Sequence, residues 1–178
     1  MHITVYLGAC LGSDPALLTA TRELGGWIGQ NGHTLVYGGS KSGLRGQLAH
    51  SALAAGGQVI GVEPQFLMDQ ECQYDGLTQL IVTPTMAERK AQMLALGDAF
   101  IALPGGTGTL EEITETISLV SLGRLTAPCI LYNLNGYYNA LRAQLAHMVQ
   151  MGLSTPERQR QVYFAENLEQ IADILRNM

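Results

Sequence analysis

The feature that most constrains the fold is a regular alternation of short apolar, β-branched runs with longer segments of helical periodicity. The runs predict strands at residues 3–9, 34–39, 58–64, 79–83, 98–104, 128–133 and 162–165. The segments around them predict helices at residues 14–31, 42–56, 85–97, 109–122, 136–152 and 166–177, while residues 63–78 carry no clear pattern. Such alternation is typical of a parallel sheet covered by helices on both faces. We therefore expect one α/β domain over residues 1–178, with about six or seven strands.

Composition narrows the class of protein. The 178 residues are 47% hydrophobic and 14% charged, which suits one folded domain with a sizeable core. The net charge of −5 argues against a nucleic-acid partner. Cys10, Cys72 and Cys129 are scattered, so neither a disulfide framework nor a metal site is expected. Because no apolar run approaches the roughly 20 residues of a membrane helix, we expect no membrane partner and a cytoplasmic location.

Glycines follow three of the predicted strands. Gly8 follows the first strand, Gly38 and Gly39 end the second, and Gly105 and Gly106 follow the fifth. Ligands of parallel sheets bind beyond the carboxyl ends of the strands. The sequence therefore predicts that these glycines contribute to a single pocket.

The segment ALPGGTGTLEEI, residues 102–113, predicts an anion site at the start of a helix. It is not the dinucleotide fingerprint, because Glu111 occupies the place of its third glycine and the segment follows the fifth strand. It is not a P-loop either, since the chain contains no Gly-Lys pair. Backbone N–H groups, the helix terminus and the hydroxyls of Thr107 and Thr109 would suit one monophosphate.

Two pairs of residues near this loop each allow two interpretations. Thr109 and Glu112 have the spacing of a capping box, but a carboxylate beside a phosphate could instead hold a ribose and stabilise an oxocarbenium ion. Arg89 and Lys90 could form a solvated basic patch, or Arg89 could bind phosphate or ribose oxygens. Together the motifs suggest cleavage of a nucleoside monophosphate at its sugar–base bond.

These stretches resemble the LOG-type phosphoribohydrolases, a family sometimes labelled lysine decarboxylase. The family pattern P-G-G-x-G-T-x-x-E matches residues 104–112, and its E-R-K-A element matches residues 88–91. Residues 5–9 and 35–64 look like the family's first two blocks, so the resemblance covers nearly the whole chain. The chain departs from the pattern in four places: Ser40 replaces a third glycine, Arg45 a methionine, Ala87 a typical histidine and Ser118 a common threonine. Ser40 and Arg45 leave the base specificity open.

The resemblance implies a Rossmann-like fold, a homodimer with the active site near the interface, and no cofactor. It implies hydrolysis of cytokinin riboside 5′-monophosphates, and often AMP, to free base and ribose 5-phosphate. The catalytic pair would be Arg89 and Glu112. The nucleotide contacts would be Glu71, Arg89, Lys90, Gly106, Thr107, Gly108, Thr109, Leu110, Glu111, Glu112 and Ser118.

A second class of function uses a similar fold and glycine loop. Proteins of the molybdenum-cofactor-carrier type bind a nucleotide-like cofactor without cleaving it. A protein that only binds does not need Glu112 next to Arg89, so the presence of both favours the enzyme.

Overall fold

The computed structural model describes residues 1–68 and 75–178 of the chain. Within these residues seven strands form one sheet in which all neighbours run parallel. The strands are β1 His2–Tyr6, β2 Thr34–Tyr37, β3 Gln58–Pro64, β4 Gln79–Thr83, β5 Ala99–Ala102, β6 Cys129–Tyr132 and β7 Val162–Ala165. Each strand overlaps a predicted run, so the α/β prediction is confirmed.

Helices connect the strands. They are α1 Pro15–Gln30, α2 Gly43–Ala54, α3 Gln65–Met68, α4 Met86–Leu96, α5 Thr107–Ser121, α6 Asn139–Gln150, α7 Pro156–Gln159 and α8 Leu168–Arg176. The sequence does not predict α3 and α7, because a single turn of four residues leaves no periodicity to detect. In the described part of the chain, no helix combines the length and apolarity needed to cross a bilayer.

The order of the strands determines where the sheet leaves a crevice for a ligand. It reads β4-β3-β2-β1-β5-β6-β7, so the chain builds outward from β1 in one direction and then returns to its other side. Ile3 of β1 lies opposite Ala99 of β5, and Tyr6 lies opposite Ala102. The order reverses between β1 and β5, and such a switch point leaves a crevice at the carboxyl ends of the two strands.

The sheet is buried on both faces, as its continuous apolar strands predict. Ile3, Leu35 and Ile101 point to one face, where they pack with apolar residues of α1, α2 and α8. The neighbouring residues Val36 and Phe100 point to the other face and pack with residues of α4 and α5. The sheet therefore holds α4 and α5 side by side.

Local signals set several helix ends. Asp14 caps α1 through a bond from the Ala16 N–H to Oδ1, and Pro15 occupies the first helical position. The predicted cap of α4 is confirmed, because the Glu88 N–H donates to Thr85 Oγ1 at 3.2 Å.

Helices α5, α6 and α8 begin two or three residues from their predicted starts, α8 at Leu168 rather than 166. Helix α5 begins at Thr107 rather than 109, directly after the glycines. Helix α6 begins at Asn139 rather than 136, because Leu134–Gly136 form a 3₁₀ turn in which Asn135 and Gly136 have positive φ. A left-handed backbone cannot continue an α-helix, so the turn ends before α6 starts.

Candidate active site

A cavity of about 580 Å³ lies at the switch point between β1 and β5. Its volume falls in the range of small-molecule sites. The walls come from the loop after β1, the first turns of α2 and α4, the glycine loop with α5, and the loop after β6. The lining residues are Gly8, Ala9, Cys10, Gly12, Ser13, Asp14, Leu17, Arg45, Met86, Arg89, Pro104, Gly105, Gly106, Thr107, Gly108, Thr109, Glu111, Glu112, Leu134 and Tyr137.

A buried ion pair forms part of the cavity wall. Arg89 of α4 donates from Nη1 to Oε1 of Glu112 on α5 at 2.6 Å. Nε of Arg89 donates to the carbonyl of Val62 at 3.1 Å. Arg89 is 4% exposed and Glu112 is 8% exposed. Because the Val62 carbonyl also anchors the guanidinium, both charges keep fixed positions at the cavity.

Gly38 makes room for this arginine. A Cβ atom on Gly38 would lie 2.5 Å from Nη2 of Arg89. Gly39 has φ of +86° and packs against the side chain of Glu63. Neither glycine lines the cavity, whereas Gly8, Gly105 and Gly106 do. That these glycines contact a ligand stays a prediction.

The N-terminus of α5 opens into the cavity without a side-chain cap. Gly106 is the N-cap residue, and it has no side chain with which to accept a bond from the first turn. The first hydrogen bond of the helix runs from the Leu110 N–H to the Gly106 carbonyl. The N–H groups of Thr107, Gly108 and Thr109 therefore have no intrahelical acceptor. This terminus combines free donors with the positive end of the helix dipole, which is a binding site for an anion.

The second helix N-terminus at the cavity, that of α1, already carries an anion. One oxygen of Asp14 accepts the Ala16 N–H at 2.9 Å, and the other accepts the side-chain amide of Asn135 at 2.8 Å. The Asn135 bond, followed by the Ala16 bond, holds the pKa of Asp14 below its usual value. Asp14 repels a ligand anion from α1, so an anion is directed to α5.

The capping-box interpretation of Thr109 and Glu112 is wrong. Helix α5 starts two residues before Thr109, which is therefore inside the first turn and buried. Glu112 uses its carboxylate on Arg89 instead of reaching back to a cap. A carboxylate held in this way remains beside the cavity, where it can act on a ligand.

Lys90 points away from the cavity into an ion-pair network. Its Nζ lies 2.7 Å from Oε1 of Glu111 and 3.0 Å from Oε2 of Glu115. Glu111 lines the cavity, whereas Lys90 does not. Lys90 therefore adjoins the cavity only through its ion pair with Glu111, and its contact with the ligand stays a prediction.

Two further predicted contacts lie outside the cavity, and one lies outside the described residues. Leu110 is 43% exposed on the outer side of α5. Ser118 is exposed and donates to the carbonyl of Thr114, nearly two turns beyond Glu112. Glu71 falls in residues 69–74 and is not described. The nucleotide contacts that the family resemblance implies thus include residues that line the cavity and residues that lie outside it.

The cavity also contains residues that the sequence did not mark as ligand contacts. Met86, one turn before Arg89, supplies an apolar wall, and Tyr137 covers one side of the glycine loop. Two signals in the sequence could have indicated them: Met86 lies three positions before Arg89, and Tyr137 follows the end of β6. Of the two departures that leave the base specificity open, Arg45 lines the cavity, while Ser40 is buried and accepts the Ser42 N–H.

Fold and site together define a Rossmann-like α/β protein with a cavity of small-molecule size, an uncapped helix terminus and a buried arginine–glutamate pair. Comparison with known proteins identifies the family of this chain. Residues 46–175 match the family model described as "Possible lysine decarboxylase". The chain is 41% identical to the cytokinin riboside 5′-monophosphate phosphoribohydrolase of Rhodococcoides fascians, covering 94% of this chain and 85% of that protein. It is 36% identical to the phosphoribohydrolase LOG of Oryza sativa subsp. japonica, covering 96% and 70% of the two chains. The chain belongs to the LOG family.

Solved structures support the fold. The molybdenum cofactor binding protein of Rippkaea orientalis superposes with a TM-score of 0.76 at 24% identity, covering 99% of this chain and 95% of that one. The molybdenum cofactor carrier protein of Chlamydomonas reinhardtii gives 0.73 at 20% identity, covering 99% and 96%. At these identities the likeness concerns the architecture alone.

Proposed function

We propose that this protein hydrolyses the N-glycosidic bond of nucleoside 5′-monophosphates, namely cytokinin riboside 5′-monophosphates, AMP or both. The products are the free base and ribose 5-phosphate. One observation carries the proposal: the buried pair of Arg89 and Glu112 shares a cavity with the uncapped N-terminus of α5. The names of the relatives in Rhodococcoides fascians and Oryza sativa support the same reaction.

The phosphate is assigned to the terminus of α5. Thr107, Gly108 and Thr109 offer backbone N–H groups there, and the helix dipole adds positive potential. Gly106 lets the ligand come close to the backbone, because no side chain stands over the first turn. Binding at this point fixes one end of the nucleotide and brings the sugar towards Glu112.

The sugar is assigned to Glu112 and Arg89. Bond cleavage leaves positive charge on the anomeric carbon, and the Glu112 carboxylate stabilises it and directs water to that carbon. Arg89 holds the carboxylate in position through Nη1 and binds oxygens of the ribose and phosphate. Since both groups are positioned before the ligand arrives, little reorganisation is needed in the transition state.

The base is assigned to the apolar side of the cavity. Leu17, Met86 and Leu134 line it there, and they suit a purine or a purine with an apolar substituent. Arg45 also lines this cavity, with Nε donating to the carbonyl of Leu7 at 3.3 Å. A guanidinium at this wall is the element on which the choice between adenine and a cytokinin base depends.

The protein is proposed to act as a homodimer in the cytoplasm. Leu110 and Ser118 lie eight positions apart on α5 and are exposed, and Leu122, which follows the helix directly, is 71% exposed. The three uncharged residues form one exposed surface along α5 and its C-terminus. A second copy would bury this surface. Replacing Leu122 with glutamate should lower the mass measured by sedimentation equilibrium if the surface is the interface.

The proposed cytoplasmic location fits the state of the cysteines. Cys10 and Cys129 are free thiols, which suits a reducing compartment.

The test is direct incubation of the pure protein, without added metal or cofactor, with AMP and with isopentenyladenosine monophosphate. Chromatography then measures free base and ribose 5-phosphate. Glu112→Gln should lower turnover by about a hundredfold or more. Glu115→Gln is the matched control, because Glu115 lies one turn further along α5, pairs with Lys90 and does not line the cavity.

The outcomes separate the two classes of function. Base release that is lost only in Glu112→Gln supports the hydrolase, and the ratio of the two rates gives the base preference. Tight nucleotide binding without base release would contradict it and favour a carrier.

A further inference from the structure

The loop between β6 and α6 spans the mouth of the cavity. Asn133, at the end of β6, is buried and anchors the loop by accepting the Tyr138 N–H at 2.6 Å. Its amide also donates to Asn139 Oδ1 at 2.9 Å. From this base, Asn135 reaches Asp14 on one wall and Tyr137 reaches Gly105 on the other. The loop therefore connects the start of α1 to the glycine loop.

Tyr137 makes an uncommon contact for an exposed residue. Its side chain is on the protein surface, with the residue 54% exposed, yet its hydroxyl donates to the Gly105 carbonyl at 2.5 Å. Its ring packs edge-on against Tyr138, with centroids 4.9 Å apart. Tyr138 is itself fixed, since its hydroxyl donates to the carbonyl of Leu103 at 2.7 Å. The hydroxyl of Tyr137 is thus supported from behind rather than free to rotate away.

The bond sets the orientation of the peptide unit between Gly105 and Gly106. In a trans peptide the carbonyl and the following N–H point in opposite directions within one plane. Fixing the Gly105 carbonyl therefore also fixes the Gly106 N–H and the entry of the chain into α5. Glycine residues restrict this segment little, so an external bond has more effect here than at residues with side chains.

We propose that Tyr137 is a positioning residue for the phosphate subsite, acting through Gly105 on the backbone donors at the start of α5. This inference rests on the proposed function only for the identity of the anion, the phosphate of a nucleotide. It assigns to Tyr137 the recognition of the phosphate end of the ligand and not of the base.

The test compares Tyr137→Phe with the native protein by calorimetric binding of ribose 5-phosphate and of adenine. The substitution keeps the ring and its packing on Tyr138 and removes only the hydroxyl. We expect ribose 5-phosphate to bind about three- to tenfold more weakly, as for the loss of one hydrogen bond, and adenine to bind unchanged. Where turnover is measured, the KM for AMP should rise by the same factor, with a smaller change in kcat.

The matched control is Tyr163→Phe. Tyr163 lies on β7, its hydroxyl bonds to Gln161, and it does not line the cavity. Removing the Tyr163 hydroxyl should change neither the affinity for ribose 5-phosphate nor that for adenine. Unchanged binding of ribose 5-phosphate in Tyr137→Phe would overturn the proposal, and so would a loss of adenine binding, which would indicate direct contact with the base. Because the test measures binding and not turnover, it stands even if the protein does not hydrolyse AMP.

Discussion

Arg89 and Glu112 lie on different helices, 23 positions apart in the chain, and their side chains meet at 2.6 Å within the protein. The pair joins α4 to α5 at the point where both face the cavity. Two opposite charges so deeply buried depend on each other, because either one alone would be a charge removed from water without a partner.

The first prediction concerns the stability of this pair. Arg89→Met should lower the free energy of unfolding by about 3–5 kcal/mol, since Glu112 is left buried without its partner. Adding Glu112→Gln should recover much of that loss, although the double variant should be inactive. Urea denaturation of the native protein, both single variants and the double variant measures the coupling. Additive effects of the two substitutions would contradict the interpretation.

The second prediction concerns Gly38, which does not touch the cavity. A methyl group there would displace the Arg89 guanidinium, so Gly38→Ala should lower kcat/KM for AMP by about tenfold or more. Gly26→Ala is the control, because no atom of the described residues lies within 4 Å of the added carbon. This control should keep full activity and gain up to about 1 kcal/mol of stability, as expected for alanine within a helix.

The third prediction concerns Lys90. Its bonds to Glu111, and then to Glu115, raise the pKa of Lys90 above its ordinary 10.5. A raised pKa means stabilisation that is complete below 10.5 and is lost as the pH rises through the pKa of the folded state. Lys90→Met should therefore be less stable than the native protein by at most about 1 kcal/mol at pH 7. The difference should disappear in strong alkali and shrink in 1 M salt, as measured by urea denaturation.

The fourth prediction uses the cysteines. Cys10 is exposed and lines the cavity, whereas burial raises the pKa of the Cys129 thiol to about 12. At pH 8 iodoacetamide should therefore modify Cys10 in the native protein and Cys129 only after unfolding. Saturating AMP should slow the reaction at Cys10, which peptide mass spectrometry would quantify. An equal rate with and without AMP would show that the nucleotide does not occupy this cavity.

The fold and the centre of the site could be predicted because both depend on local patterns. Alternating apolar runs predict a parallel sheet, and glycines at strand ends mark its binding edge. Arg89, Thr107 and Glu112 follow from the glycine loop, from the charged residues beside it and from the resemblance to the family's motifs. All three line the cavity that the topology requires.

Helix geometry explains why some members of the predicted set lie outside the cavity. Successive residues turn by about 100° around the axis, since a turn holds 3.6 residues. Ser118 is six positions after Glu112 and so points to a different side of α5. Lys90 directly follows Arg89 and so cannot share its direction. Motif spacing alone does not contain this information, but helical phase does.

The walls of the cavity could not be predicted, because they depend on contacts between distant parts of the chain. The bond from Asn135 to Asp14 joins residues 121 positions apart. Asn135 takes a left-handed backbone conformation there. A glycine is needed at position 38 because the side chain of Arg89, on α4, lies against it. These contacts between distant residues form only once the sheet has brought their elements together.

The open N-terminus of α5 makes ligand binding part of the protein's own stability. On the proposed binding mode, a phosphate supplies the acceptors that Gly106 lacks, so the nucleotide completes the first turn of the helix. By mass action, a ligand at a hundred times its dissociation constant adds about 2.7 kcal/mol to the free energy of unfolding. The melting temperature of this protein should then report the concentration of its ligands, and in the cell its lifetime would follow the supply of nucleotide.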